Sequence, residues 1–304
     1  MTIQDELIAM PEWKRLLRIQ HFGISIRLLE RNAEELKELL NFLTNNPESM
    51  WLSYVRHCAE LDQVFEEVLR LLHNFVAAAL TLVDHTRVVY RELYESAKSF
   101  LDYQAEVDRR MVKDPLIQFV QKLRHLAQHV RLPTISIICE ATRETGVSRR
   151  LVLHKDDLLR FGGWNDPAKV YLTAAPETIN LSDLVNAYTD EIRSFYNWME
   201  ERQRDIHSHD MQEVEKKQAE GTALLAQDMS RHLETGLMIR AQGVGSLQNI
   251  FAFGFSPTDW TELSKYDGNL VRWTDAAILL IENRFGPLPV ELAARIRDAA
   301  RADK

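Results

Sequence analysis

The chain has 304 residues, of which 45% are hydrophobic, so it has enough apolar side chains to bury one large core or two smaller ones. Its first residues include Asp5 and Glu6, unlike the basic start of a secretion signal. The longest largely apolar run, Phe75 to Val83, is too short to span a bilayer. The sequence therefore predicts a soluble, cytoplasmic protein with no membrane segment.

The charge is unevenly distributed along the chain. The net charge of -8 argues against a protein that coats nucleic acid nonspecifically. However, the stretch from Arg109 to Arg131, here called the basic segment, has six basic residues and one acidic residue, Asp114. Two cysteines, Cys58 and Cys139, lie in largely apolar segments, which predicts two small buried side chains and no disulfide framework.

Long helices are expected in the first half of the chain, because there is no glycine between Gly23 and Gly146 and there are few prolines. The periodicity of apolar residues predicts three helices, at 12–43, 49–96 and 115–130. The second helix is long enough that we expect a kink or break near Asp84. The third should bury a stripe formed by Leu116, Phe119, Val120, Leu123, Ala127 and Val130.

The pattern then changes to short β-branched runs. TISIIC and RRLVLH, separated by ATRETGVS, predict a small β-hairpin. A long helix is expected at 182–220, and a short helix should begin at Ser256 with Pro257 and Asp259 in its first turn. We therefore predict a mainly α fold, with four long helices interrupted by a hairpin and followed by a smaller, mostly helical module. The predicted domains are 1–225, with the hairpin insertion at about 132–160, and 226–304.

One motif points to chemistry on the third predicted helix. In LRHLAQHVRLP, Arg124 is followed by His125 and, after three more residues, by His129. This pattern resembles the signature of the HEPN superfamily, helical bundles whose RNase members have an arginine, a polar residue, three residues and a histidine near the end of their third helix. The resemblance covers roughly residues 1–225. It implies a homodimer that cleaves an RNA substrate without metal or cofactor, often as a toxin or phage-defence effector with an antitoxin or defence-system partner.

The residue types suit this chemistry. Attack of a 2'-hydroxyl on phosphorus needs a proton acceptor near that hydroxyl and a cation beside the phosphoryl oxygens. We assign proton transfer to His129, the phosphate contact to Arg124 and a supporting polar role to His125. All three are expected to face outward, opposite the apolar stripe. A two-fold dimer that packs these faces together would form a basic cleft.

Other interpretations remain open. Arginine and histidine also occur at similar spacing in Arg15–His21, Arg149–His154, Arg202–His207 and Arg204–His209. We prefer Arg124 and His129 because they lie at a helix end within the basic segment. His125 and His129 could instead share a metal, although no third ligand is evident in the sequence nearby. HSHD, with His207, His209, Asp210 and nearby Glu213, is rich in metal-ligand residue types, but we expect it to form a solvated surface.

Two further interpretations concern the whole chain and its second helix. DHTR, Asp84 to Arg87, is expected to be a satisfied polar pair at a kink, or else to support the active cleft. The alternative to a nuclease is a catalytically inactive helical protein that serves dimerisation or interaction with a partner.

Overall fold

The computed structural model describes residues 3–49, 58–142 and 146–303. These residues are mostly helical and include one three-stranded antiparallel sheet, so the prediction of a mainly α chain with a small β-hairpin is confirmed. No helix among them combines the length and apolarity needed to cross a bilayer. The α-helices of the described residues, α1 to α13, are Ile3–Ala9, Pro11–Asn45, Cys58–Tyr90, Tyr103–Val107, Pro115–His129, Lys155–Leu159, Asp166–Ala174, Leu181–Ile206, Ser208–Ala241, Leu247–Phe251, Pro257–Leu263, Leu270–Phe285 and Val290–Ala302. The strands β1 to β3 are Ile135–Thr142, Gly146–His154 and Thr178–Asn180.

The chain forms two compact units. One comprises residues 15–209, and the other comprises residues 1–14 together with residues 210–304. We call them the large and the small unit. Residue 225, the predicted domain boundary, lies within α9.

Helix α3 is continuous from Cys58 to Tyr90, so the break that was predicted as one alternative near Asp84 is not observed. Asp84 and Arg87 are exposed and pair with each other at 3.2 Å, and such a pair on the solvent side leaves the helix undisturbed. Thr86 is buried between them, and its hydroxyl donates to the Leu82 carbonyl oxygen at 2.7 Å. Beyond Tyr90, at Arg91–Glu95, the helix continues as a π-helical turn, which contains about one residue more than an α-helical turn and is here called a widened turn. Residues 50–57, the predicted start of this helix, lie outside the described residues.

Helix α5 begins and ends where the sequence predicts. Asp114 caps its first turn by accepting a hydrogen bond from the Ile117 amide at 2.9 Å. The buried set differs from the predicted stripe: Val130 is 57% exposed. The buried residues are Ile117, Phe119, Val120, Leu123 and Leu126.

Val130 is exposed because α5 ends at His129. Ile117 and Leu126 are buried in addition to the predicted stripe because α5 is covered on more than one side. It packs on α3, α7 and α8, and the Phe119 ring stacks on Tyr171 of α7 at 4.5 Å. The inward direction of α5 is therefore set by several neighbours, which a single apolar stripe does not indicate.

The hairpin pairs Ile135 of β1 with Leu153 of β2, and its turn, residues 143–145, lies outside the described residues. The third strand was not predicted. It adds to β2 through the pair Leu153 and Ile179, both buried in the core shared with the long helices. Three residues are too few to give a periodic signal.

The predicted single helix at 182–220 is wrong, because α8 ends at Ile206 and α9 begins at Ser208. His207 lies at the break and is 4% exposed, and its Nε2 is 3.1 Å from the Tyr94 hydroxyl. Asp210 is also buried, so HSHD is not a solvated surface throughout. His209 is exposed, as expected.

The predicted burial of both cysteines is wrong for one of them. Cys139 of β1 is a free, exposed cysteine. It lies on the paired strand β1 opposite Arg149, and successive strand residues alternate between faces, so an apolar segment can still expose one of its members. The side chain of Cys58 is outside the described part of the chain.

The small unit contains the predicted start of α11. Ser256 and Asp259 form a reciprocal capping box, with Pro257 at the first helical position. The Asp259 carboxylate also accepts a hydrogen bond from the Arg284 guanidinium of α12 at 2.7 Å. This carboxylate therefore links two helices around a core that includes Trp273.

Replacing Asp259 by alanine is expected to destabilise the protein by roughly 2 kcal/mol, because the cap and the arginine contact are both lost. The hydrogen bonds from the Ser256 amide, the Ser256 hydroxyl and Arg284 lower the pKa of Asp259 to about 2. An unfolded aspartate has a pKa of about 3.9, so the stabilisation is complete above about pH 4 and is lost as the pH falls through about 2.

Urea denaturation at pH 7 and at pH 2 measures this effect. The difference between wild type and Asp259→Ala should be present at pH 7 and largely absent at pH 2. Asp298→Ala, which removes only an exposed pair with Arg301, is the control and should change stability by less than about 0.5 kcal/mol. Equal effects of the two substitutions at pH 7 would contradict the role of the capping box.

Candidate active site

Two histidines lie side by side on the last two turns of α5. The ring centroids of His125 and His129 are 5.1 Å apart, and both side chains are exposed. Neither has a hydrogen bond or ion pair with any described residue. Two imidazoles at this separation can reach neighbouring oxygens of a single substrate.

His125 is supported on one side by an aromatic cluster. Its ring lies 5.9 Å from the ring of Phe161, which in turn meets Trp164 edge-on at 5.2 Å. The Trp164 indole is buried and donates to the Leu158 carbonyl oxygen at 2.8 Å. These contacts restrict the ring of His125, whereas His129 contacts only the ring of His125 among these aromatic residues.

Arg124 differs from its predicted outward position. Its side chain is half-buried, and its Nε is enclosed without a hydrogen-bond partner among the described residues. On an ideal helix it lies about 100° from His125 around the axis, on the side of Ile117 and Val120. Enclosing an unpaired N–H group costs about 1–3 kcal/mol, so a ligand or second chain that draws the side chain outward would recover energy.

Lys122 shares the face of the two histidines and was not singled out in the sequence. It precedes His125 by three residues and His129 by seven, which places all three on one side of the helix. Lys122 has no ion pair with a described residue. The spacing of three and seven residues was the signal that could have identified it. Among the cations of α5, Lys122 therefore lies at the smallest angle around the helix axis from the two imidazoles.

Three of the six basic residues of the basic segment contact other residues of the protein. Arg109 pairs with Glu106 at 2.6 Å, and Arg110 lies 5.7 Å from the centre of the Phe195 ring. Arg131 pairs with Asp157 at 2.9 Å. The positive charges free of such contacts with described residues are those of Lys113, Lys122 and Arg124.

The competing arginine and histidine pairs have structural partners. Arg149 donates to the Ser49 hydroxyl at 2.9 Å, Arg202 pairs with Asp102 at 3.1 Å, and Arg204 pairs with Glu200 at 2.7 Å. Arg15 also interacts within the chain. In residues 3–49, 58–142 and 146–303, no group of three or more histidine, cysteine, aspartate or glutamate residues is placed to hold a metal.

Exposed apolar side chains lie beside the histidine pair. Val130 and Leu132 follow α5 and are 57% and 50% exposed, and Leu159 at the end of α6 is 50% exposed. The ion pair between Arg131 and Asp157 brings these two segments together. Exposed apolar side chains that lie together can contribute to a contact with another molecule.

Comparisons with protein-family models, with curated proteins and with solved structures gave no match for this chain.

Proposed function

We propose that this chain is a metal-independent endoribonuclease and that the exposed pair of His125 and His129 at 5.1 Å carries out the reaction. An imidazole can accept or donate a proton near neutral pH, so two neighbouring imidazoles provide a base and an acid. His129 is the proton-transfer group that the sequence indicated. His125, held against Phe161, is its partner at the other oxygen.

In the reaction, one neutral imidazole takes the proton of a ribose 2'-hydroxyl, and the 2'-oxygen forms a bond to the adjacent phosphorus. The bond between phosphorus and the 5'-oxygen of the next nucleotide breaks, and the other imidazole, in its protonated form, gives its proton to that oxygen. Lys122 stabilises the charge on the phosphoryl oxygens. Arg124 joins it after its side chain rotates outward.

The fold supports the HEPN-like part of this proposal. Helices α2, α3, α5 and α8 contribute buried residues to one core in the large unit. Each helix contributes a buried phenylalanine to that core: Phe22, Phe75, Phe119 and Phe195, in chain order. We propose that they form the bundle, with the β1–β2 hairpin inserted between α5 and α8.

The proposed site is completed by a second copy of the chain. In a dimer, two copies of α5 would face each other across a two-fold axis close to His125 and His129, and the exposed Leu132 and Leu159 would be covered. A second imidazole pair and a second Lys122 would then line one cleft.

Replacing Leu159 by lysine is expected to weaken this dimer at least about tenfold, because a charge enters an apolar interface. Light scattering at micromolar concentration measures the change from dimer to monomer. Leu101→Lys, at an 83% exposed position elsewhere in the large unit, is the matched control and should remain dimeric. A wild-type protein that is monomeric under these conditions would contradict the proposed dimer.

The chemistry of the RNA ends tests the proposed reaction. Cleavage in excess EDTA should leave a 2',3'-cyclic phosphate and a 5'-hydroxyl, because the nucleophile is the neighbouring 2'-hydroxyl and not water. A substrate with a single 2'-deoxy nucleotide at the mapped site should resist cleavage there and remain sensitive elsewhere. A requirement for Mg²⁺, or products with 5'-phosphates, would exclude this mechanism.

A further inference from the structure

A groove of about 580 Å³ lies along the end of α3 and along α4 in the large unit. Its lining includes Arg87, Tyr90 and Arg91 from α3 and its continuation, and Tyr103 and Gln104 from α4. Two widened helical turns, Arg91–Glu95 and Asp108–Val112, each contribute residues to this lining. Such turns insert one residue into the helix and are frequent at functional sites.

The apolar part of the groove contains two stacked tyrosines. The rings of Tyr90 and Tyr103 are 3.9 Å apart and nearly parallel, at 11°. Tyr103 is 4% exposed, and burial raises the pKa of its hydroxyl to about 12, so it is a neutral phenol. Tyr90 is half-buried and is held against this support. A fixed aromatic ring can stack on a planar group such as a nucleobase.

The polar part of the groove contains both positively and negatively charged side chains. Arg87 is paired with Asp84 at 3.2 Å, whereas Arg91 is exposed and has no ion pair with a described residue. Arg91 is therefore able to bind a phosphate. Glu95, at the other end of the widened turn, and the amide of Gln104 can accept hydrogen bonds from the amino group of a base.

Residues of helix α5 lie close to the groove. An adjoining pocket shares Arg87 and Tyr103 with the groove and is also lined by Gln118 and Gln121 of α5. Gln121 precedes His125 by about one helical turn. Helix α5 thus carries both the histidine pair and side chains that adjoin the groove.

We propose that this groove binds an unpaired nucleotide of the RNA strand, next to the nucleotides that are cleaved. The base packs on Tyr90 and its phosphate is bound by Arg91. This inference rests on the proposed nuclease function for the identity of the strand. Base-paired RNA is excluded, because its bases are stacked inside the duplex and cannot reach Tyr90.

Binding of a fluorescently labelled single-stranded RNA, measured by anisotropy in EDTA with the His129→Ala protein as parent, tests the groove without cleavage. Tyr90→Ala in that background should weaken binding about 5- to 150-fold, as is typical for the loss of one base stack. Tyr90→Phe keeps the ring and should bind like the parent. Arg91→Ala should weaken binding and reduce its salt dependence, whereas Arg70→Ala, an exposed arginine on α3 outside the groove, should do neither.

The proposed groove would be overturned if Tyr90→Ala and Arg91→Ala bind the RNA as tightly as the parent does. It would also be overturned if duplex RNA competes for binding as well as single-stranded RNA does. Separate outcomes distinguish the two proposals. If the wild type binds RNA through Tyr90 and Arg91 but leaves it intact, the nuclease fails and the groove stands. If the wild type cleaves RNA and both substitutions leave binding and cleavage unchanged, the nuclease stands and the groove fails.

Discussion

Replacing His129 by alanine is expected to lower the rate of RNA cleavage by at least about 100-fold, because general acid–base catalysis by one side chain typically contributes about 100- to 10,000-fold. Single-turnover cleavage of a labelled RNA at saturating protein measures this rate without the step of product release. His209→Ala removes another exposed histidine of the large unit and is the matched control, with an expected rate within about twofold of wild type.

The same substitution should leave the fold intact. His129 is exposed and has no hydrogen bond to a described residue, so His129→Ala should change the free energy of unfolding by less than about 1 kcal/mol. A loss of rate with full stability identifies a chemical role and excludes a merely structural one.

The pH dependence of the cleavage rate is a second test of the imidazole pair. With one base and one acid, the rate should depend on pH as a bell-shaped curve, and removal of either His125 or His129 should abolish one side of it. The double substitution should cost little more than the stronger single one, because the two groups act as a unit. Full activity in His129→Ala would place any nuclease activity elsewhere, with the segment from Arg204 to His209 the first alternative.

The parts of the fold that were predicted correctly depend on local chemistry. Pro115 in a first turn marks one helix start, and Ser256 with Asp259 marks another, because such signals involve only a few consecutive residues. The β1–β2 hairpin was likewise indicated by its own residues. Such signals do not depend on what packs against the element.

The parts that were missed depend on residues distant in sequence. His207 is buried at the break between α8 and α9, near the Tyr94 hydroxyl, which follows α3. Strand β3 exists because β2 offers an edge to it. Neither neighbour could be inferred from the periodicity of the segment itself, which is why a solvated HSHD and a continuous helix were predicted.

In the candidate site too, features set by local sequence were predicted and features set by distant residues were missed. The proximity of His125 and His129 follows from their spacing on one helix, and the structure places their rings together. The half-buried position of Arg124 depends on how α5 is covered by its neighbours, which the sequence pattern does not give. The groove at Tyr90 depends on two widened turns, for which no sequence signal was recognised.

Replacing Leu123 by alanine is expected to reduce the free energy of unfolding by about 2–5 kcal/mol, the usual cost of removing a leucine side chain from a packed core. Leu123 precedes Arg124 on α5, is 1% exposed and lies in the core shared by the long helices. Urea denaturation followed by circular dichroism measures the loss. Gln128→Ala, a half-buried polar position on the same helix, is the control and should cost less than about 1 kcal/mol.

This pair of substitutions tests the orientation of α5, on which the proposed site depends. If Leu123 faces the core, its angular position on the helix fixes His125 and His129 on the opposite, outward side. A loss below about 1 kcal/mol for Leu123→Ala, or a larger loss for Gln128→Ala, would mean that α5 is rotated about its axis. The histidines would then point into the protein, where they could not reach an RNA strand, and the chemistry would have to be sought on another helix.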